Sequence, residues 1–250
     1  MGALRGRAAL VTGAARRLGK AIAEALAREG ADVVVHFMHS ASEAERTAAG
    51  LRALGVRAWT ARADLGDPAQ AQALWEQAEA LAGAGRIDIL VNSASIFPED
   101  TLAGFTAGGL ETSLRVNALA PALLARRFAA AGPGGDRVIV NLLDSRALGR
   151  MRRHLSYQLS KRLLADFTRL LALELAPAVR VNAVAPGMIL PPEGLGPDAQ
   201  ARLAATNLLG RWGKPEDVAQ AVLFLAVNDF ITGQVLFVDG GGAVKESLFG

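Results

Sequence analysis

The sequence has 250 residues, 51% of them hydrophobic and 27 of them glycine, which suits one large α/β domain with a sizeable core and excludes disorder as its main theme. It contains no cysteine, so disulfides and thiolate metal sites are excluded, no metal is expected, and a reducing, cytoplasmic compartment is compatible with the composition. The formal charge is only +3, four of the 27 basic residues are lysines, and the paired arginines (Arg16-Arg17, Arg126-Arg127, Arg152-Arg153) are scattered without interleaved aromatics, which argues against a nucleic-acid partner and for an anionic small molecule.

Met1-Gly2-Ala3-Leu4-Arg5 runs almost directly into a strand and does not read as a signal peptide. No run of about 18 uncharged apolar residues is present, so no membrane partner is expected. Strand-length apolar runs lie at Arg7–Thr12, Ala31–Phe37, Val56–Ala61, Ile87–Val91, Arg137–Leu142, Val179–Val184 and Val235–Val238. Helical patterns fall between them: Leu18, Ile22 and Leu26, then Ser42–Leu54, and residues 68–83, 108–131, 156–176 and 215–227. This alternation predicts right-handed βαβ units, a doubly wound Rossmann-like parallel sheet with helices on both faces, and a single domain over 1–250.

In such folds ligands lie at the carboxyl ends of the strands. After the first strand, Gly13, Arg16, Arg17, Leu18 and Gly19 form either a plain strand–helix turn or a turn whose helix amides hold a phosphate. After the second comes His36-Phe37-Met38-His39-Ser40, with no acidic residue before Glu43. An NAD site would place an acid there, whereas Ser40, His39 and Arg16 or Arg17 suit a 2′-phosphate and hence NADP. The third strand leads to Asp64-Leu65, where Asp64 either accepts from an adenine amino group or caps the helix near Pro68. The fourth ends in Asn92-Ser93-Ala94-Ser95-Ile96-Phe97; Asn92 and Ala94 stand where a cofactor backbone would pass. Phe97 covers a core edge or offers a stacking platform to a flat substrate, with Ser95 aimed at the same place.

Asn117, amid apolar neighbours, bends or caps its helix or holds a water for a proton relay. The fifth strand ends at Asp144, and Tyr157 is the only tyrosine in the chain. Tyr157 and Lys161 are one helical turn apart on one face, where an ammonium would lower the phenol pKa from its usual value near 10. Pro186-Gly187 follows the sixth strand, and a Pro- and Gly-rich stretch, Met188–Asn207, follows that.

Taken together, the Thr12-Gly13 to Gly19 turn, Asp64, Asn92-x-Ala94, Asn117, Tyr157-x-x-x-Lys161 and Pro186-Gly187 resemble the short-chain dehydrogenase/reductase family along nearly the whole chain. The resemblance implies NAD(P)-dependent hydride transfer with Tyr157 as acid/base. Lys161 would lower its pKa and hold the nicotinamide ribose, and Asn117 would position a water behind the lysine. Arg17 in place of a glycine, Asp144 in place of a serine, and Ser95 with Phe97 after the fourth strand look like the pteridine reductase branch, dihydromonapterin reductases included. That branch implies a pterin between nicotinamide and Phe97, Arg17 at the cofactor phosphates and the substrate edge, and Asp144 supporting proton delivery. Residues 188–207 resemble the family's variable substrate lid, and a homotetramer is expected from the resemblance, the broadly apolar helix at 156–176 and the apolar Ile231–Val238. The leading expectation is NADPH-dependent reduction of a pterin or folate ring. The alternatives are a carbonyl reductase of the 3-oxoacyl or small-ketone type and a non-catalytic NADPH-binding regulator.

Overall fold

The seven strands are β1 (Ala8–Val11), β2 (Asp32–Phe37), β3 (Ala58–Arg62), β4 (Ile87–Asn92), β5 (Val138–Leu142), β6 (Arg180–Pro186) and β7 (Val235–Val238). In this computed structural model, which describes residues 2–83, 87–131, 135–149, 151–191 and 194–249, they pair in parallel in the order β3-β2-β1-β4-β5-β6-β7. Successive side chains point to opposite faces, and here both faces are apolar: Ala9, Val11, Val33 and Val35 join one core cluster, while Ala8, Leu10 and Val34 join another. Strands buried on both sides must be covered by helices on both sides.

The first layer is α1 (Arg17–Arg28), α2 (Ala41–Ala53) and α9 (Pro215–Val227). Ile22 and Leu26 of α1 and Val218, Val222 and Leu225 of α9 are buried there. The opposite layer has α3 (Pro68–Ala82), a long helix around 107–130, and α7 (Leu155–Leu175). Trp75 and Phe128 meet edge-on in it, 5.6 Å apart.

The helix expected at 108–131 is α4 (Ala107–Leu114) and α5 (Ala120–Ala130) joined by a π-helical turn, Arg115–Leu119. Three further helices were not expected: α6 (Ser145–Leu148), α8 (Pro197–Ala204) inside the anticipated lid, and α10 (Gly242–Phe249). Of the lid, Pro192 and Glu193 lie outside the described residues. Strand order reverses between β1 and β4, so the carboxyl ends of those two strands open the crevice in which the site residues gather. No helix among the described residues is long and apolar enough to cross a membrane.

Candidate active site

The turn after β1 is built for close approach. Gly13 has φ +66°, and a Cβ there would stand 2.9 Å from Ala94 Cα. At Gly19 a Cβ would meet the Gly13 carbonyl oxygen at 2.3 Å. Thr12 Oγ1 accepts from the amides of Ser93 (2.9 Å) and Ala94 (3.0 Å), tying the ends of β1 and β4 together. His36 completes the frame: its Nδ1 accepts from Gly13 N–H at 3.0 Å, which leaves Nε2–H to donate to the Ala63 carbonyl at 3.1 Å. Burial lowers the His36 pKa to about 4, so the ring is neutral and holds three strand ends in register. Its place inside an apolar strand run concealed this role.

Arg17, the first residue of α1, has φ +55°. A non-glycine residue in the left-handed region is strained by about 1–2 kcal/mol, which explains why glycine is common at this point of the turn. The strain places a cation at a helix N-terminus, where anions bind.

A cleft of about 930 Å³ runs from this turn to α7. At one end it is lined by Arg16, Arg17, His39 and Ser40, with Asp64 and Leu65 beside them. Neither Arg16 nor Arg17 makes a salt bridge among the described residues. The Ser40 hydroxyl makes no capping bond to α2 and is available to a ligand. Asp64 is not a helix cap: Asp67 caps α3 through Ala69 N–H at 2.9 Å, while Asp64 Oδ1 accepts from Gly66 N–H at 2.8 Å. Leu18, Gly19, Ala94, Pro186 and Gly187 also line the cleft. Asn92 does not; its amide is buried and donates to Asn141 Oδ1 at 2.8 Å, because β4 turns that side chain towards β5.

At the other end, Tyr157 O–H donates to Asp144 Oδ2 at 2.9 Å. The second oxygen, Asp144 Oδ1, caps α6 by accepting from Arg146 N–H (2.8 Å) and Ala147 N–H (3.1 Å). The carboxylate is thereby held rigidly against the phenol. Burial, then the charge of Asp144 and its hydrogen bond, push the phenol well above its usual pKa, with the Arg146 charge opposing the rise. The net displacement is thus upward, in the direction in which the Asp144 charge acts, and Lys161 is not among its causes. Lys161 Nζ sits 5.7 Å from the Tyr157 ring centroid and donates to the Leu142 carbonyl at 2.8 Å. Burial depresses its own pKa to about 8 against the raising effect of Asp144.

Asn117 lies in the π-helical turn that joins α4 and α5. Its Oδ1 accepts from Ser95 Oγ (3.1 Å) and Ile96 N–H (2.9 Å), and its Nδ2 donates to the Ile96 carbonyl and Ser160 Oγ, both at 3.0 Å. The amide's four bonds are used within the protein, so its side chain fastens the loop after β4 to α7. Ser95 lines the cleft with its hydroxyl already committed to Asn117.

Phe97 is half-exposed at the cleft, edge-on to Tyr157 with centroids 4.6 Å apart. One of its faces carries the His154 ring, 3.8 Å away at 18°. His154 is in the left-handed region (φ 65°) at the head of α7, and its Nδ1–H donates to the Pro98 carbonyl at 2.8 Å. Asp100 receives the amide of His154 on its carbonyl at 2.8 Å and both the amide and hydroxyl of Ser156 on its carboxylate. Arg153 pairs with Glu99 alongside. Sequence reasoning missed His154 and Asp100; the signal was the short run Phe97–Asp100 facing Arg153–Ser156.

The cleft fits a dinucleotide: a glycine cradle that a Cβ would fill, guanidiniums with no salt bridge among the described residues, and a hydroxyl not used as a cap where an acid would otherwise stand. Such a fold and site define a nicotinamide-dependent oxidoreductase. A family model described as enoyl-(acyl carrier protein) reductase matches residues 13–242, and the chain belongs to the short-chain dehydrogenase/reductase family. Pteridine reductase 1 from Leishmania tarentolae is 35% identical over 93% of this chain and 95% of its own. The FolM alternative dihydrofolate reductase 1 from Brucella canis, solved with NADP, superposes with a TM-score of 0.90 at 35% identity, covering 98% of this chain and 96% of its own. The angucycline C-6 ketoreductase LanV with bound NADP gives 0.91 at 31% identity, covering 97% and 98%. The chain is an NADP(H)-binding short-chain reductase.

Proposed function

We propose that the chain reduces a pterin or folate ring with NADPH. The observation that carries this reading is the Tyr157–Asp144 hydrogen bond of 2.9 Å. A carboxylate that accepts from the phenol cannot also donate to a substrate carbonyl, as a serine there would. It does keep the phenol protonated, and a proton on Asp144 would reverse the bond and free the phenol's own proton for substrate. NADPH supplies hydride to the carbon of a ring C=N. Tyr157 gives its proton to the adjacent nitrogen, and a proton reaching Asp144 restores the phenol. Lys161 steadies the ribose end while charged, Arg17 takes the phosphates and the substrate edge, and the open side of Phe97 with Ser95 receives the flat ring. Ser40, His39 and Arg16 take the 2′-phosphate, and Asp64 with Leu65 the adenine. The names of the Leishmania and Brucella relatives agree with this substrate class.

A general carbonyl reductase is the second reading, favoured by the likeness to a C-6 ketoreductase. Following NADPH consumption with dihydrobiopterin, dihydrofolate and an acetoacetyl thioester decides between them. Turnover of the thioester alone would overturn the pterin reading, and no turnover of any would favour a cofactor-binding regulator.

A further inference from the structure

Beside the cleft lies a second cavity of about 540 Å³, between α6, the lid helix α8 and α10. It shares Arg146, Gly187, Met188 and Leu203 with the cleft, so the two are continuous at the end where Tyr157 stands. Its walls are largely apolar, from Met188, Leu203 and Ala243, and its ionic groups are mostly committed. Asp239 accepts from the amides of Gly241 (2.9 Å) and Ala243 (2.8 Å), and Lys245 Nζ donates to the Ala205 carbonyl at 2.6 Å. Glu246 lies over Gly149 on the far side.

Arg146 differs from these. Only its backbone is engaged, in the cap formed by Asp144. Its exposed guanidinium has no salt bridge among the described residues. It faces both cavities, and its charge reaches the Tyr157 phenol. A fork of donors with no salt-bridge partner among the described residues, at the mouth of an apolar chamber, matches a planar carboxylate on an apolar stem. Deeper in the chamber Asp239 and Glu246 together outweigh the charge of Lys245, which is held at the Ala205 carbonyl, and this leaves the Arg146 end as the place for an anion.

We infer that this side cavity receives an elongated aryl-carboxylate substituent of the substrate, with Arg146 as its ion-pair partner. Resting on the pterin reading, the inference selects substrates of the folate kind, which carry such a tail, over free pterins, which do not.

Two measurements test it on NADPH-loaded protein. In calorimetric titration, p-aminobenzoylglutamate should bind wild type at least about tenfold more tightly than its diethyl ester, the scale of a charge-assisted pair. Arg146→Gln should erase that difference. No binding, equal binding of acid and ester, or a preference that survives in Arg146→Gln overturns the inference. In turnover, the ratio of kcat/KM for dihydrofolate over dihydrobiopterin should fall about tenfold in Arg146→Gln and recover in part in Arg146→Lys. The effect of the Arg146 charge on Tyr157 is common to both substrates and cancels in that ratio, so an unchanged ratio also overturns it. A wild type that reduces neither substrate removes the pterin reading and leaves the titration to decide the cavity.

Discussion

His154 lies flat on Phe97, ring centroids 3.8 Å apart, in a left-handed conformation that histidine adopts rarely. The helix bearing Tyr157 therefore also sets where the Phe97 ring stands. His154→Asn separates the contributions, since asparagine tolerates that conformation and keeps a donor for the Pro98 carbonyl while removing the ring. KM for dihydrobiopterin should rise about fivefold, the scale of one aromatic pair, with kcat held within about twofold. Steady-state kinetics giving an unaltered KM would show that the stack does not position the platform.

Asp144→Ser tests the proton chemistry. Serine can still cap α6, so folding should survive. Without the carboxylate, two of the causes that raise the phenol pKa disappear, and Tyr157 should ionise at lower pH. Pterin reduction should be lost while ketone reduction is kept or gained. Equal pterin rates in the variant and wild type would make the aspartate structural only. Tyr157→Phe should remove activity on every substrate while leaving NADPH affinity nearly intact by fluorescence titration.

Arg17→Gly should move stability and function in opposite directions. Relief of the left-handed strain outweighs the entropy of an added glycine, giving a ligand-free protein about 0.5–1 kcal/mol more stable in denaturant melts. NADPH affinity should fall at least tenfold, about 1.4 kcal/mol. At the other end of the cofactor, wild type should prefer NADPH to NADH by at least about tenfold, and Ser40→Asp should reverse that order. Equal dissociation constants for the two cofactors would remove the role assigned to Ser40.

His36 and Lys161 give the pH dependence opposite limbs. The folded His36 binds its proton near pH 4 and the unfolded near 6.5, so between those values only the unfolded state is protonated. Stability should fall as pH drops below 6.5 and level off below 4, by about 3 kcal/mol in all. In His36→Asn that part of the acid loss should vanish from melts at pH 4 and 7. Lys161, with a pKa of about 8, loses its charge above that value, so kcat/KM should decline on an alkaline limb near pH 8. A profile flat through that limb would separate the ammonium from catalysis.

Assembly is expected to hide the remaining apolar surface. Leu170 (59% exposed) and Leu173 (82%) on α7 and Phe230 (97%) before β7 face solvent in the isolated chain, more than a single sheet-packing face requires. Light scattering at micromolar concentration should give the mass of a homotetramer; a monomer mass would contradict this.

The strands were legible because each is a short apolar run, buried on both faces except at the edge strands β3 and β7, and all seven fall within a few residues of expectation. Tyr157, Lys161, Asp144 and Gly13 were legible because spacing brings them to strand ends or to one turn of helix. What escaped depended on tertiary partners. The π turn at Asn117 carries no periodic signal, and Asn117 bonds across to a loop and to α7. The largest cause of the Tyr157 shift is burial, which the spacing of Asp144, Tyr157 and Lys161 does not report. Helix α6 is four residues long and owes its start to Asp144, which the family resemblance marks for proton delivery and not as a cap.

The knot of bonds between Pro98–Asp100 and Arg153–Ser156 makes two distant stretches of chain one part mechanically. Phe97 and Tyr157 ride on it together, so the two rings keep a fixed distance. Transplanting the loop after β4 from a relative, without the residues that open α7, would carry over a ring but not its seat. If Phe97 receives the substrate as proposed, substrate choice is inherited as a matched pair of segments and is not exchanged one loop at a time.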